Sequence, residues 1–328
     1  MNSTIAPTKA PAAAPSRMTL AAVTSGRLSK PPRVLLYGTD GIGKSTFGSR
    51  APAPIFLCAE DGTAGLDVAR FPEPTSWTEV LAAVDALIAG GHGYRTLVVD
   101  TLDWLEPLIF AHLCQANGWK DIEAPGYGKG YVAALDQWRL LLARLDALRE
   151  RQRMAVVLLA HTLIRNFKSP ESEAYDRYEL KLNAKAGGLL REWCDVVLFG
   201  NYETLAAKRD GRVLGVSTGA RIMFTEHRAT WDAKNRYGLP AQLPLSWDEL
   251  EQAMATGHLP QLEQLRAEVA ALLPQVDEQT RGLAEGYLAN NGDNPAALYK
   301  LADKLRAKAA LNTTTPPATP GTDKEVAA

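Results

Sequence analysis

Short continuous apolar runs alternate along this chain with stretches whose apolar residues recur every three or four positions. Residues 33–37 (Arg-Val-Leu-Leu-Tyr), 55–58 (Ile-Phe-Leu-Cys), 96–100 (Thr-Leu-Val-Val-Asp) and 155–160 (Ala-Val-Val-Leu-Leu-Ala) are runs of the first kind. Strands read this way when both faces of a sheet are covered, as in parallel sheets with helices on either side. Residues 196–199, 213–217 and 221–225 read as later strands, the last two joined through Thr218-Gly219 as a hairpin. Ser76 opens a helix, with Glu79 three residues on completing a capping box. Val80, Val84, Leu87 and Ile88 give that helix one apolar face, and Gly90-Gly91 stop it. A long helix over about 131–152 turns Leu135, Leu142, Leu145 and Leu148 inward. The alternation predicts an α/β fold with a mainly parallel central sheet flanked by helices.

After Pro244 the pattern is wholly helical. Ser246 with Glu249 forms another capping box, and Pro295 suits the first turn of a helix. Residues 246–311 are expected to be a small helical appendage beside a core domain at 31–245. The apolar faces of that appendage (Leu262, Leu265, Val269 and Leu272, then Leu298, Leu301 and Leu305) are expected to cover the core rather than bind a partner. Residues 1–30 and 312–328 are rich in Ala, Pro, Ser and Thr without apolar period, and are expected to be disordered tails. No internal repeat is visible.

Composition narrows the classes. Among 328 residues, 46% are hydrophobic and 22% charged, enough to build a packed core and to exclude global disorder. No apolar run approaches the ~18–20 residues of a membrane span. No apolar stretch follows Lys9 and Arg17, so no secretory signal is expected. Cys58, Cys114 and Cys194 are too scattered for a disulfide framework or metal cluster, and suit buried thiols in a reducing cytoplasm. A net charge of −1 excludes a polybasic nucleic-acid binder, so any DNA contact needs a local patch.

The chemistry starts at residues 38–45, Gly-Thr-Asp-Gly-Ile-Gly-Lys-Ser, between a strand and a helical stretch. Gly38, Gly41 and Gly43 let the backbone turn tightly, and Gly38, Thr39, Asp40, Gly41, Ile42 and Gly43 bring main-chain N–H groups against phosphates. Lys44 suits the β- and γ-phosphates of ATP, the Ser45 hydroxyl suits Mg²⁺, and Thr46 continues the cradle into the helix. Asp100 ends its strand where a carboxylate would face a Mg²⁺-bound water. Glu60 closes the strand after the loop's helix and can polarise an attacking water, with Asp61 next to it as the alternative base. His161 ends the last buried strand, where a polar group can touch the γ-phosphate and move the segment after it.

These parts in this order resemble the RecA/recombinase family of ATPases, and more closely the single-domain RecA-like proteins encoded by phages. The likeness covers about 32–240: the loop 38–45, "AEDG" with Glu60, "LVVD" ending at Asp100, and "VVLLAHT" with His161. The resemblance implies a RecA-like P-loop core, Glu60 as catalytic base and His161 as phosphate sensor, a position that is Gln in bacterial RecA. It also implies two DNA-binding loops. The first, 117–131, offers Trp119, Tyr127, Tyr131, Lys120 and Lys129 for stacking bases and holding phosphates. The second, 162–188, offers Arg165 and Lys168. Together with Arg177, Lys181 and Lys185 these are nearly balanced by Glu171, Glu173, Asp176 and Glu179, and Gly187-Gly188 resemble the glycines that close this loop in the family. Residues 233–240 (Ala-Lys-Asn-Arg-Tyr-Gly-Leu-Pro) resemble a motif whose basic residues reach a neighbouring subunit's ATP. Lys234 and Arg236 would act in that way.

The expected protein is thus an ATPase that uses ATP and Mg²⁺, binds single-stranded DNA and promotes annealing or strand exchange. The resemblance further implies a homo-oligomer, filament or ring, with nucleotide at its interfaces. A single-strand-binding protein is a candidate further partner, the lack of a long apolar run argues for no membrane association, and the resemblance to phage proteins implies a host bacterial cytoplasm. A hexameric helicase or translocase motor, and an ATP-dependent switch or loader that does not touch DNA, are the other readings.

Overall fold

The computed structural model describes residues 18–25, 30–60, 62–168, 173–209, 212–256, 259–292 and 295–313. The chain divides at Lys30. The described part before that point includes a 3₁₀ turn at Leu20–Ala22. The rest of the tails lies outside the described residues. The strands are β1 (Arg33–Gly38), β2 (Pro54–Cys58), β3 (Ala69–Arg70), β4 (Thr96–Asp100), β5 (Ala155–Phe167), β6 (Tyr175–Leu180), β7 (Val196–Arg209), β8 (Arg212–Phe224), β9 (Lys234–Asn235) and β10 (Gln242–Pro244). The helices are α1 (Lys44–Ser49), α2 (Trp77–Ala89), α3 (Leu102–Asn117), α4 (Lys129–Arg151), α5 (Ala184–Trp193), α6 (Trp247–Thr256), α7 (Leu259–Leu272), α8 (Glu278–Asn291) and α9 (Pro295–Thr313).

The sheet runs in the order β10-β8-β7-β1-β5-β4-β2-β3. Strands β7, β1, β5, β4, β2 and β3 are parallel, and β8 and β10 close one edge antiparallel. Both faces are covered, as the unbroken apolar runs require. Successive residues go to opposite faces. Leu35, Leu57, Leu97, Val99, Val156 and Leu158 pack with Trp77 of α2 and Trp138 of α4. Their neighbours Val34, Leu36, Phe56, Val98, Val157 and Leu159 pack with Phe47 of α1 and Trp247 of α6. The parallel strands therefore end together at one edge, where Gly38, Cys58, Asp100 and His161 emerge.

Helix ends follow their side chains. Ser76 Oγ accepts from Glu79 N, while the Glu79 carboxylate accepts from Thr75 N and Oγ1. Gly90 and Gly91, at φ +83° and +82°, terminate α2 in the left-handed region.

Three expectations are corrected. Thr218-Gly219 does not turn a hairpin: β8 runs through it, and the hairpin is β7 against β8. Glu203 there faces residues 218–220, so Gly219 at φ +79° sits in a bulge, where a positive φ serves as well as in a turn. Residues 162–188 are not one long loop. β5 continues to Phe167 and pairs antiparallel with β6, and Gly187-Gly188 lie inside α5, with Gly187 buried near Leu180. Finally, the apolar faces of 246–311 do not all cover the core. Trp247, Leu250 and Ala253 of α6 do. Val269, Ala284, Leu298, Leu301 and Leu305 of α7–α9 instead bury one another in a separate cluster.

Candidate nucleotide site

At its last residue β1 runs against β7 so closely that a Cβ on Gly38 would meet Gly200 O at 2.3 Å. Only glycine fits there. The chain then turns through Gly41 (φ +69°) and Gly43 (φ +103°), with the Ile42 side chain fully buried beneath the turn. Lys44 opens α1 and is 6% exposed, its Nζ donating to Gly38 O at 3.4 Å and Thr39 O at 3.2 Å. Burial pulls its pKa down, against the opposing pull of Asp40, Asp100, Asp103 and Glu60. The ammonium is thus held in place, facing a cleft of about 450 Å³.

The cleft is lined by Gly41, Gly43, Lys44, Ser45 and Thr46 of the loop together with Glu60, Asp100, His161 and Arg221. Asp100 is buried, and burial raises its pKa while a hydrogen bond from Ser45 lowers it. Its Oδ2 has no hydrogen-bond partner. An open buried carboxylate oxygen beside a hydroxyl is the oxygen donor set that a hard cation such as Mg²⁺ prefers. Among the described residues no cluster of three or more His, Cys, Asp or Glu could hold a metal by itself. Ser45 and Asp100 thus fit a Mg²⁺ that completes its shell with phosphates and water.

Glu60 is half-buried, and its Oε1 accepts from Thr101 Oγ1 at 3.1 Å. Asp61 lies outside the described residues. His161 is fixed from behind by Asp103, whose Oδ1 accepts from His161 N and whose Oδ2 lies 2.9 Å from Nδ1. This pairing places the Nδ1 proton toward Asp103 and leaves Nε2 facing the cleft, 3.5 Å from the exposed Asp40 carboxylate. The Asp103 bond raises the His161 pKa against burial. Burial would lift Asp103, but the His161 bonds hold it below the usual carboxylate range.

The other candidates named from the sequence fall elsewhere. Lys234 and Arg236 stand toward the opposite edge of the sheet, where β9 pairs Val196 and Val197 of β7. Lys234 Nζ donates to the carbonyls of Arg191, Glu192 and Cys194 at 3.1, 2.8 and 2.7 Å, capping the end of α5. Arg236 is 54% exposed and pairs with Asp195 at 3.2 Å. Asp195 also binds Arg33 and Arg149, and these cations hold its carboxyl below its ordinary range although burial works the other way. Neither residue can serve the nucleotide site of its own chain.

Residues 118–128 are a hydrogen-bonded set of turns, not an open glycine loop: Gly126 N bonds to Glu123 O, and Lys129 N to Gly126 O. Trp119 is half-buried against the core. Tyr131 packs edge-on against Phe110 and donates to Glu123. Tyr127, Lys120 and Lys129 remain exposed. Arg165 and Lys168 lie on or just after the outer half of β5, and Arg165 pairs with Glu179 at 3.6 Å.

Sequence reading missed Thr101 and Asp103, which follow Asp100 and orient Glu60 and His161. It also missed Arg221 and Tyr202, brought over the phosphate loop from β8 and β7. Two polar residues within three positions after Asp100, Thr101 and Asp103, were the available signal for the first pair. Nothing local marked the second.

A family profile described as an AAA domain matches residues 30–237. No curated protein matches the chain. Among solved structures, one titled "Crystal structure of the RadB recombinase" matches at 13% identity and a TM-score of 0.35, covering 61% of this chain and 84% of that one. The profile spans well over half the chain and contains the whole phosphate loop and cleft, and the chain belongs to the AAA domain family of P-loop ATPases.

Proposed function

We propose that the cleft hydrolyses ATP with Mg²⁺, and that the chain is a RecA-like ATPase of the phage recombinase type that couples hydrolysis to single-stranded DNA. One observation carries the reading: Glu60, held by Thr101, shares one cleft with Lys44, Ser45, Asp100 and His161. A nucleotide-binding module needs the lysine and the hydroxyl. Only hydrolysis also needs a positioned carboxylate to take a proton from water.

In this reading the loop N–H groups and Lys44 hold the phosphates, and Ser45 and Asp100 hold Mg²⁺. Mg²⁺ held there would supply charge neutralisation for phosphoryl transfer. Glu60 accepts the proton of the attacking water. His161 presents Nε2 to the terminal phosphate, its protonated form favoured by Asp103. From His161 the strand continues without a break through Arg165 to Phe167, and from Thr162 onward it is paired with β6. A shift at the phosphate end of β5 therefore moves the basic outer end, which is the coupling proposed for DNA. Tyr127, Lys120 and Lys129 offer a second contact of aromatic and cationic character. Arg236, half-exposed at the far edge, is the group left to reach a neighbour's nucleotide in an oligomer, whereas Lys234 serves its own α5.

The test is ATP turnover with and without single-stranded DNA, beside Lys44→Ala. The reading predicts turnover that Lys44→Ala abolishes and that DNA raises. Turnover indifferent to DNA, with no DNA retained, would replace the recombinase reading by the switch or loader. Directional unwinding of a duplex would replace it by the motor.

A further inference from the structure

We infer that Arg221 is a second phosphate-binding cation of this cleft, contributed in cis from the β7–β8 hairpin and directed at the polyphosphate chain of a bound nucleoside di- or triphosphate. The inference rests on the nucleotide-site reading above and assigns that site a ligand group lying well over a hundred residues beyond the loop in sequence.

Arg221 lines the cleft. Its Nη1 stands 3.0 Å, and its Cζ 4.0 Å, from where a Cβ on Gly43 would be, so the guanidinium lies directly over the loop glycine that precedes Lys44. The backbone places it there. Arg221 is two residues before Met223, whose side chain is buried on the sheet face that carries α1, and period two puts Arg221 on that same face. Immediately before it, the bulge at 218–220 with Gly219 at φ +79° breaks the register of the hairpin. Beyond the bulge Arg221 is opposite Tyr202, whose hydroxyl donates to Gly41 O at 3.4 Å. Leu245 N donates to Arg221 O at 2.9 Å and secures the strand from its other side. Two paired residues of one hairpin thus overhang two glycines of the phosphate loop.

Charge makes the same case. The cleft and its rim carry Asp40, Glu60, Asp100 and Asp103 against Lys44, the only lysine lining it among the described residues. A triphosphate brings about four further negative charges, and a bound Mg²⁺ would offset two of them. Arg221 is exposed, and among the described residues its guanidinium is paired with no carboxylate. A planar fork with no carboxylate partner among the described residues, set above loop N–H groups, matches two phosphate oxygens better than a point charge would.

The experiment measures affinity of the full chain for ATP, ADP and inorganic tripolyphosphate in wild type, Lys44→Ala, Arg221→Ala and Arg221→Lys, with urea midpoints to verify folding. Arg221→Ala should keep its midpoint yet weaken all three ligands by about 10- to 100-fold, the range for losing a charge-assisted hydrogen bond. Arg221→Lys should recover part of that loss. An equal mixture of Arg221→Ala and Lys44→Ala chains should bind no better than the sum of its parts. Unchanged affinity in Arg221→Ala, while Lys44→Ala loses binding, overturns the inference and leaves the nucleotide site standing. Loss for ATP but not for tripolyphosphate overturns it in favour of a contact to the base. Restored binding in the mixture overturns the cis assignment. A wild type that binds none of the ligands sinks the nucleotide-site reading itself.

Discussion

Trp247→Ala tests whether α6 belongs to the ATPase core or to the helical region after it. Trp247 is 2% exposed and meets Phe47 edge-on, with ring centroids 5.5 Å apart at 62°. Phe47 is in α1, the helix that begins at Lys44, so the pair links α6 to the phosphate loop through one contact. Truncating a buried tryptophan costs about 3–5 kcal/mol in transfer and cavity terms. The indole Nε1 is buried without a partner, and its removal returns roughly 1 kcal/mol of that. The net expectation is a loss of about 2–4 kcal/mol. Trp247→Phe keeps an aromatic edge against Phe47 and removes the unpaired donor, so its loss should stay near ~1 kcal/mol. Urea unfolding followed by circular dichroism reads the stability, and titration with ATP reads the loop. A loss under ~1 kcal/mol for the alanine variant, or a loss with ATP affinity untouched, would refute the reasoning.

Gly38→Ala forces a methyl within 2.3 Å of the Gly200 carbonyl, a backbone atom held in the sheet. It should cost about 1–3 kcal/mol in thermal unfolding and more in nucleotide affinity, while Gly93→Ala, with open space around it, stays neutral. Asp103→Asn probes the His161 pair by pH. His161, raised above 6.5, contributes stability that is complete below pH 6.5 and fades as pH rises through its folded pKa. Asp103, held below 3.8, contributes stability that is complete above pH 3.8 and is lost in acid. The stability penalty of Asp103→Asn relative to wild type should therefore peak between about pH 4 and 6.5 and shrink toward about pH 9 in denaturation series; a penalty that grows above about pH 8 contradicts the pairing. Lys234→Met removes the donor shared by three carbonyls at the end of α5 and should cost about 1–2 kcal/mol in urea unfolding. No change there would return the lysine to the groups available to a neighbour.

Much of the core was legible because its signals are local. Unbroken apolar runs at 33–37, 96–100 and 155–160 became the parallel centre of the sheet, and Ser76, Glu79 and Gly90 bounded α2 as their capping chemistry requires. The phosphate loop was readable because its glycines and Lys44 are contiguous. What escaped was non-local or ambiguous. Helix α3 contains Pro107, which interrupts a helical pattern on paper but here only forgoes one main-chain bond to Asp103. The outer half of β5 and its partner β6 form a two-stranded ribbon with several exposed positions, so no continuous apolar run announced them. A glycine such as Gly219 serves a bulge and a turn equally well. Arg221 and Tyr202 reach the loop only because β7 lies beside β1 and β8 beside β7. That adjacency belongs to the sheet order, not to any stretch of sequence.

The most direct measurement for the central claim is ATP binding and ATP turnover in Glu60→Gln beside Lys44→Ala. Glu60 sits in the cleft on a hydrogen bond from Thr101 and belongs to the strand end after β2, not to the phosphate loop itself. Glu60→Gln should bind ATP within about twofold of wild type while turnover falls by about 10²- to 10⁴-fold, the contribution of a positioned base. Lys44→Ala should lose binding and turnover together. Undiminished turnover in Glu60→Gln would contradict the account, because Glu60 would then not be the base proposed for this cleft.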